Sequence, residues 1–245
     1  MNTGVDILAF GAHPDDVELT VGGTLLRAAA SGRSFAIADL SAGECGTRGS
    51  AALRATEAAQ AAQTLGASGR ECLGLPDGAI LLTEASRLAV VHCIRRWKPR
   101  VVIAPDEDDL HPDHAWTGRI VREAAFLAGV AKVGSGAAHR PQAVIACFAH
   151  TVREPDFVVD ISAHFELKRA ACEAYKSQFF NPNSTEPATF IARPEFWGWW
   201  EGRARAFGQR IGAVYGEAFV HRGPLRVDDV VAQFADYGYY PRESR

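Results

Sequence analysis

No apolar run in this chain of 245 residues approaches the length of about 20 that a membrane-spanning helix needs. An excess of basic residues is also lacking. The 26 Lys and Arg stand against 29 Asp and Glu, and a net charge of −3 argues against a general binder of nucleic acid or anionic membranes. The first residues, MNTGVDILAFG, contain neither a basic leader nor an extended apolar core. We therefore expect no nucleic-acid partner, no membrane partner and a cytoplasmic location.

Closely spaced cysteine pairs are lacking as well. The five cysteines are scattered and never form a C-x-x-C pair, which predicts reduced thiols and excludes a cysteine zinc knuckle. The five cysteines are Cys45, Cys72, Cys93, Cys147 and Cys172. We expect most of them to be small core residues. Cys45 lies in the glycine-rich stretch SAGECGTRG and is the one candidate for lining a site.

Linkers, internal repeats and low-complexity tracts are absent, so we expect residues 1–245 to form a single domain. Over the first two thirds, apolar β-branched segments alternate with alanine-rich helical segments. The predicted strands are Val5–Phe10, Phe35–Leu40, Arg70–Leu73, Val101–Ala104 and Ala143–Phe148. The predicted helices lie near Glu18–Ala30, Ala51–Leu65, Glu84–Trp97 and Ala115–Ala128. This alternation predicts an α/β fold, with a parallel sheet covered by helices on both faces.

The last third has a different composition. A helix is predicted over Ser162–Gln178, and the loop after it, FFNPNSTEP, is too rich in proline and asparagine to be regular. An aromatic helix, PEFWGWWEGRARAFG, and a tail ending in YGYYPRESR follow. We expect these segments to be a C-terminal elaboration of the sheet domain.

Ligands of parallel sheets bind beyond the carboxyl ends of the strands. The loops to consider are therefore 11–16, 41–50, 74–79 and 105–114. The first of them lacks the G-x-G-x-x-G pattern of dinucleotide binders and contains AHPDD instead. Asp15 and Asp16 would repel a phosphate at this helix start, so the loop favours a cation.

A second cluster, DEDDLHPDH, follows a neighbouring predicted strand at residues 106–114. His13 and Asp16 are three residues apart at a helix start and can converge on one point, and His114 offers a third ligand. Two histidines, one carboxylate and an open position are typical of a catalytic zinc site, although the same set also suits ferrous iron. Alone, each motif could be a helix cap or a surface pair; together, at the ends of two strands, they predict a metal centre.

These two motifs, AHPDD and HPDH, are similar to those of the LmbE/PIG-L family of metal-dependent de-N-acetylases. The similarity extends from Asp6 to Phe219 and includes GECGTRG, GLPDG, HRP, PDFVVDIS, AYKSQF and RARAFGQRIGAVYGEAF. These segments most resemble the bacterial branch that deacetylates N-acetylglucosaminyl malate during bacillithiol synthesis. The resemblance implies a Rossmann-like sheet, a small N-acetylated amino-sugar conjugate as substrate, and a homo-oligomer, either a trimer or a hexamer.

The resemblance also implies roles for individual residues. His13, Asp16 and His114 become the zinc ligands. Asp15 becomes the general base, and His111 the group that stabilises or protonates the reacting centre. We expect His111 to be protonated, with Asp113 either holding its tautomer and charge or capping the following helix.

Two arginines are candidates for binding the acidic part of a malate conjugate. If Ser50 caps the helix Ala51–Leu65, Arg54 lies in its first turn, where a cation opposes the helix dipole. Arg48 lies just upstream, and a dicarboxylate would offset the unfavourable position of both cations. The alternative is a surface salt bridge to Glu44 or Glu57.

Two further residues are candidates for substrate contacts. Asp77, in the tight LPDG turn, could bind sugar hydroxyls or could be a turn residue only. Lys176, in AYKSQ, is a weaker candidate for the acidic end of the substrate.

The aromatic segment Phe196–Trp200 holds Trp197, Trp199 and Trp200, which a helix directs to different faces. We expect part of this surface to be covered by another subunit or to border the active site; burial in the domain's own core is the alternative.

Two alternatives to the malate conjugate stay open. The chain could deacetylate another N-acetylglucosaminyl compound, such as a chitooligosaccharide, an inositol conjugate or an antibiotic precursor. In a different class, it could be a nucleotide-binding module, against which the acids of the first loop argue.

Overall fold

A seven-stranded sheet forms the centre of the computed structural model, which describes residues 4–234. Its strands are β1 Ile7–Gly11, β2 Phe35–Asp39, β3 Arg70–Cys72, β4 Val101–Pro105, β5 Ala143–Cys147, β6 Phe157–Asp160 and β7 Gly216–His221. The strand order is β3-β2-β1-β4-β5-β7-β6. The first five strands in this order are parallel, whereas β7 runs antiparallel to both of its neighbours.

Helices cover both faces of the sheet. They are α1 Asp16–Ala30, α2 Ala51–Leu65, α3 Glu84–Trp97, α4 Pro112–Ala128, α5 Phe165–Cys172, α6 Phe196–Gln209 and α7 Val230–Phe234. A turn of 3₁₀ helix, Ser162–His164, precedes α5. Across residues 4–234, none of the helices combines the length and the apolar character that crossing a membrane requires.

The core lies in layers on the two faces, because successive side chains of a strand point in opposite directions. Leu8 and Phe10 of β1 pack with α3 and α4 on one face. Ala9, between them, packs on the other face with α1, where Val21 and Leu25 are buried. The predicted fold class, a mostly parallel α/β sheet with helices on both faces, is confirmed.

The C-terminal part differs from the prediction. A single helix over Ser162–Gln178 is wrong, because α5 ends at Cys172 and turns follow it. Strands β6 and β7 were not among the predicted strands. Two helices also begin earlier than predicted, α1 at Asp16 and α4 at Pro112. The tail YGYYPRESR lies outside the described residues.

Buried polar contacts attach the C-terminal elements to α1. Glu217 of β7 accepts hydrogen bonds from the backbone N–H groups of Gly23 (2.9 Å) and Thr24 (2.7 Å) and is paired with Lys168 of α5 at 2.7 Å. The Trp200 indole of α6 donates to the Leu19 carbonyl at 2.9 Å. These contacts hold α6 beside the first turns of α1, next to the loop that contains His13.

Candidate active site

The loops after β1 and β4 meet because these strands are neighbours in the sheet, with Ile7 opposite Val101. The first loop leads into α1 and the second into α4. Helix α4 also crosses very close to the end of β4, since a Cβ atom on Gly118 would lie 2.2 Å from the Pro105 carbonyl oxygen. This close approach holds the start of α4 at the end of β4, near the loop that follows β1.

His13, Asp16 and His114 converge there, with one ligand atom of each within 4.8 Å of the others. We call these three residues the triad. Asp16 Oδ1 lies 3.2 Å from His114 Nε2, and Asp16 Oδ2 lies 3.5 Å from His13 Nδ1. The backbone N–H groups of Ala12 and His13 each donate to Asp16 Oδ2 at 2.9 Å. All three side chains are buried.

A second set of carboxylates holds the outer nitrogens of the two imidazoles. His13 Nε2 lies 3.0 Å from Asp77 Oδ1 and 3.3 Å from Asp113 Oδ2. His114 Nδ1 lies 3.2 Å from Asp109 Oδ1. In metal sites, a carboxylate of this kind typically fixes the tautomer and the orientation of a ligating histidine.

The carboxylates of the cluster favour positive charge on the two imidazoles. Burial alone would lower the pKa of His13, yet the carboxylates of Asp113, Asp16 and Asp77 outweigh it and raise that pKa to about 12. Burial likewise opposes protonation of His114, but Asp16 and Asp109 raise its pKa to about 9. Both imidazoles therefore favour the protonated form, and a metal bound here would have to displace those protons. The donor set, two imidazoles and a carboxylate, fits a divalent transition metal.

Asp15, adjacent to Asp16, has other partners. Its backbone φ is +109°, in the region that favours glycine, and its carboxylate makes no capping bond to α1. Arg54 Nη2 donates to Asp15 Oδ2 at 2.7 Å, and both side chains are buried. Burial raises the pKa of the Asp15 carboxyl, although the Arg54 guanidinium opposes this shift. A strained backbone at a buried carboxylate is a feature of functional sites.

Asp113 neither holds the His111 ring through its carboxylate nor caps α4, so both of its predicted roles are wrong. His111, not Asp113, is the N-cap of α4, because its Nδ1 accepts the Asp113 backbone N–H at 3.2 Å. The Asp113 carboxylate accepts N–H groups of Gly78 (2.7 Å) and Ile80 (3.3 Å) and contacts His13. Burial and the neighbouring imidazoles lower the pKa of His111. A neutral ring whose Nδ1 accepts a hydrogen bond bears its proton on Nε2.

The two candidate malate-binding arginines are engaged elsewhere. Besides contacting Asp15, Arg54 donates from Nε to the Pro14 carbonyl at 3.0 Å. Arg48 is buried and donates to the carbonyls of Ser177 (3.0 Å) and Pro187 (3.3 Å). The predicted alternative is wrong too, since the salt bridge of Arg54 is to Asp15.

The other two candidate substrate residues lie in different places. Asp77 is beside His13, and its Oδ2 accepts the Cys45 backbone N–H at 2.7 Å. The Cys45 thiol donates to the Asp77 carbonyl at 3.3 Å, so Cys45 does lie next to the cluster. Lys176 is exposed in a groove formed with α2, which the triad does not line.

Two residues of the site were not identified from the sequence. Asp109 contacts His114 and accepts the backbone N–H groups of His111 (3.0 Å) and His150 (2.8 Å). The His150 ring lies beside that of His114, with centroids 5.1 Å apart and the rings tilted by 34°. Asp109 stands inside DEDDLHPDH and could have been singled out there, whereas no motif surrounds His150.

The three tryptophans of α6 have three different environments. Trp200 is buried, and Trp197 is half-buried against Phe179, with ring centroids 4.6 Å apart. Trp199 is exposed and lines a cavity beside the triad. Trp200 is therefore packed in the domain's own core with one edge on this cavity, whereas Trp199 borders the site and is exposed.

Comparison with known proteins shows which family part of the chain resembles. The model of the family described as PIG-L, GlcNAc-PI de-N-acetylase, matches residues 8–125, which include the triad, Asp15 and Arg54. Over this stretch the chain is similar to the PIG-L family. A diacetylchitobiose deacetylase from Thermococcus kodakarensis is 29% identical over 186 residues, or 71% of this chain and 70% of that protein.

Solved structures share the fold over nearly the whole chain. The conserved protein TT1542 from Thermus thermophilus is 37% identical with a TM-score of 0.83, covering 91% of this chain and 97% of that one. GalB, a 4-carboxy-2-hydroxymuconate hydratase from Pseudomonas putida, is 20% identical with a TM-score of 0.77, covering 91% of this chain and 98% of that one. At that identity the second likeness shows the fold alone.

Proposed function

We propose that this chain removes the acetyl group from an N-acetylglucosaminide, giving the free amine and acetate, and that residues 1–245 act as one deacetylase domain. The observation that carries the proposal is the triad with Asp15 beside it. Three ligands face one point, while a buried carboxylate outside the ligand set is held by Arg54. The similarity of residues 8–125 to the PIG-L family and the deacetylase relative support the same reaction.

His13, Asp16 and His114 would hold the metal, for which we propose Zn²⁺ with Fe²⁺ as the alternative in the cell. When bound, such a metal polarises a carbonyl oxygen and lowers the pKa of water. Asp77, Asp113 and Asp109 keep the two ligating imidazoles in place through their outer nitrogens.

Asp15 is the proposed general base. Its carboxylate takes a proton from the attacking water and returns it to the amine, which must leave protonated. Arg54 fixes the position of this carboxylate through the 2.7 Å hydrogen bond, so the base does not need to be ordered when substrate binds.

His111 is the proposed donor to the oxyanion that forms when water adds to the amide carbonyl. Its Nδ1 is occupied by the Asp113 N–H, so a neutral ring presents Nε2–H to the site. This replaces the expectation of a protonated His111. Removing a donor of this kind typically lowers the rate by about 10²–10³.

The malate conjugate of the bacillithiol branch is the finer substrate proposal, and it rests on sequence resemblance. Arg48 and Arg54 give it little support, because both side chains are hydrogen-bonded within the protein. The diacetylchitobiose deacetylase relative favours a chitooligosaccharide as the second candidate. Inositol conjugates and antibiotic precursors complete the set to be compared.

We also propose a cytoplasmic location and a homo-oligomer, either a trimer or a hexamer. All five cysteines are free, which fits a reducing compartment. Light scattering of the purified chain measures its mass in solution, and a monomer would contradict the oligomer.

The function is tested by measuring amine release from N-acetylglucosamine, its malate and inositol conjugates and diacetylchitobiose. Asp15→Asn is the control, because an amide keeps the shape and can still accept from Arg54 but cannot take the proton. We expect release by the wild type and loss of it in the variant. Release from none of these compounds, together with saturable binding of NAD or ATP by the metal-free chain, would favour a nucleotide-binding module instead.

A further inference from the structure

A cavity of about 340 Å³ opens onto the triad and has largely apolar walls. Asp16 and His114 form one side of it. The apolar lining comes from α1, α6 and three loops, and its large side chains are Leu19, Leu110, Phe190, Ile191, Phe196, Trp199 and Trp200. Its size lies in the range of about 300–1,000 Å³ typical of sites that enclose a small-molecule ligand, and far exceeds what one acetyl methyl group occupies.

Large apolar side chains are left in water at this cavity. Leu110 is 80% exposed, Phe190 54% and Trp199 48%. Phe190 and Trp199 are stacked with ring centroids 5.4 Å apart, so they form one continuous apolar surface. Exposed apolar surface collected beside a reactive cluster is typical of a ligand site rather than of scattered surface residues.

The polar groups in the cavity wall already have partners within the protein. Thr20 Oγ1 donates to the Asp16 carbonyl at 2.6 Å. The Arg203 guanidinium donates to the carbonyls of Phe148 and Ala149. His150 Nδ1 lies 3.1 Å from Asp109 Oδ1. A sugar ring in this cavity would lose water from hydroxyls that find few partners, which is unfavourable.

The other polar residues of the site do not line the cavity. Asp15, Arg54 and Asp77 are absent from its walls, and Asp77 contacts His13 instead. The polar groups near the triad and the apolar cavity are therefore separate surroundings for the two parts of an amide substrate. The sugar suits the polar groups, and the acyl group suits the cavity.

We propose that this cavity is an acyl-binding pocket, and that the chain hydrolyses N-acyl glucosaminides whose acyl group is longer than acetyl. This inference rests on the proposed deacetylase function and specifies its substrate class. Water adds to the carbonyl carbon, the C–N bond breaks, and the products are the free amine and a carboxylate of the same chain length. Each methylene buried against Phe190 and Trp199 adds to transition-state binding.

The test is the kcat/KM for N-acetyl-, N-butyryl-, N-hexanoyl- and N-octanoylglucosamine. We expect a rise of up to about fourfold per methylene, the factor for burying one methylene, until the pocket is filled. Trp199→Ala and Phe190→Ala should each reduce the ratio of the N-octanoyl to the N-acetyl value severalfold. Phe180→Ala, which removes an exposed aromatic ring outside the cavity, should leave that ratio unchanged.

Alkyl β-glycosides of N-acetylglucosamine provide the matched series with the chain on the other end of the substrate. A gain in kcat/KM with that chain, and none with the acyl chain, would overturn the proposal and assign the cavity to the aglycone. No dependence on either chain would overturn it as well, and would leave the cavity to a second copy of this chain or another partner.

Titration calorimetry of the metal-free protein separates this inference from the proposed function. N-octanoylglucosamine should bind with a negative heat-capacity change and N-acetylglucosamine without one, because only the first buries much apolar surface. If N-octanoylglucosamine binds, Phe190→Ala weakens that binding and no amide is hydrolysed, the result would contradict the deacetylase function but support the acyl-binding pocket. Turnover of the N-acetyl compound without octanoyl-specific binding would contradict the pocket alone.

Discussion

At the scale of single residues, the carboxylates of the site are distinguished by the donors that hold them. Asp16 accepts two backbone N–H groups and faces both triad imidazoles. Asp15 is held by one guanidinium and no triad member. Adjacent carboxylates therefore have different chemistry, because the strained backbone at Asp15 turns its side chain towards α2 while Asp16 faces α4.

Arg54 is expected to act on all substrates alike. Arg54→Ala leaves the buried Asp15 carboxylate without its cation, so we expect a lower kcat on N-acetylglucosamine and on its malate conjugate. The free energy of unfolding should fall by about 3–5 kcal/mol, the usual result of removing one partner of a buried pair. Kinetics on both substrates and urea unfolding measure this. A rise in KM confined to the malate conjugate would restore Arg54 as a carboxylate-binding residue.

Asp109 is not a member of the triad, but we expect it to affect metal binding through His114. Its carboxylate contacts His114 and accepts hydrogen bonds from the backbone N–H groups of His111 and His150. Asp109→Ala therefore removes the contact that orients His114 and the two bonds that hold the neighbouring loops. We expect metal affinity to fall by about 10–100-fold, as for other residues that orient a ligand. Competition with a chromophoric chelator measures the affinity. Asp106→Ala in the same loop is the control, since that carboxylate pairs with Arg153 instead; equal losses in both variants would contradict this role.

The sequence predicts that the three triad side chains converge, but it does not predict what surrounds them. A histidine and an aspartate three residues apart, and a histidine after a neighbouring strand, identify His13, Asp16 and His114 as convergent. The partner of Arg54 could not be deduced, because it depends on the left-handed conformation of Asp15. His150 lies 36 residues beyond His114, on a different strand end, where local spacing has no predictive value.

At the scale of elements, the strand–helix alternation defined the parallel half of the sheet, and tertiary contacts decided the C-terminal half. The helix predicted through Gln178 ends at Cys172 because side chains of α2 bind the following segment. Glu57 accepts the Ser177 N–H at 2.8 Å and its hydroxyl at 2.6 Å. These bonds hold the segment in turns, and the local sequence periodicity does not predict them.

The C-terminus of α3 offers a test of backbone strain away from the site. Lys98, its C-cap, is exposed and has φ +47°, a conformation in which glycine is favoured. Lys98→Gly should therefore raise the free energy of unfolding by about 1 kcal/mol. Urea unfolding measures the change. Lys132→Gly is the control at an exposed lysine without positive φ, and it should be neutral or slightly destabilising; an equal effect in both variants would rule out strain at Lys98.

At the scale of the whole molecule, the sheet brings sequence-distant loops to one edge. The triad joins α1 to α4, Asp77 approaches from the loop after β3, and α6 supplies the cavity wall. A ligand that bridges these elements stabilises the folded state over the unfolded chain, by about 2.7 kcal/mol at a concentration 100 times its Kd. The site and the stability of the fold are therefore linked.

Removal of metal should lower the thermal stability of the protein. Chelator treatment is expected to reduce the unfolding midpoint of the wild type, and added Zn²⁺ to restore it, because binding to the triad occurs only in the folded chain. Asp16→Ala should show the same midpoint with and without Zn²⁺. A wild-type midpoint that is insensitive to chelator and to Zn²⁺ would contradict a metal centre.

The metal content of Asp15→Ala and Asp16→Ala, measured by mass spectrometry after identical loading and dialysis, tests the central claim most directly. The two residues are neighbours, and both carboxylates are buried. We expect metal in Asp15→Ala at the wild-type level with amine release abolished, and little or no metal in Asp16→Ala. Full metal in Asp16→Ala together with an empty Asp15→Ala would reverse the assignment of ligand and base and contradict the proposed site.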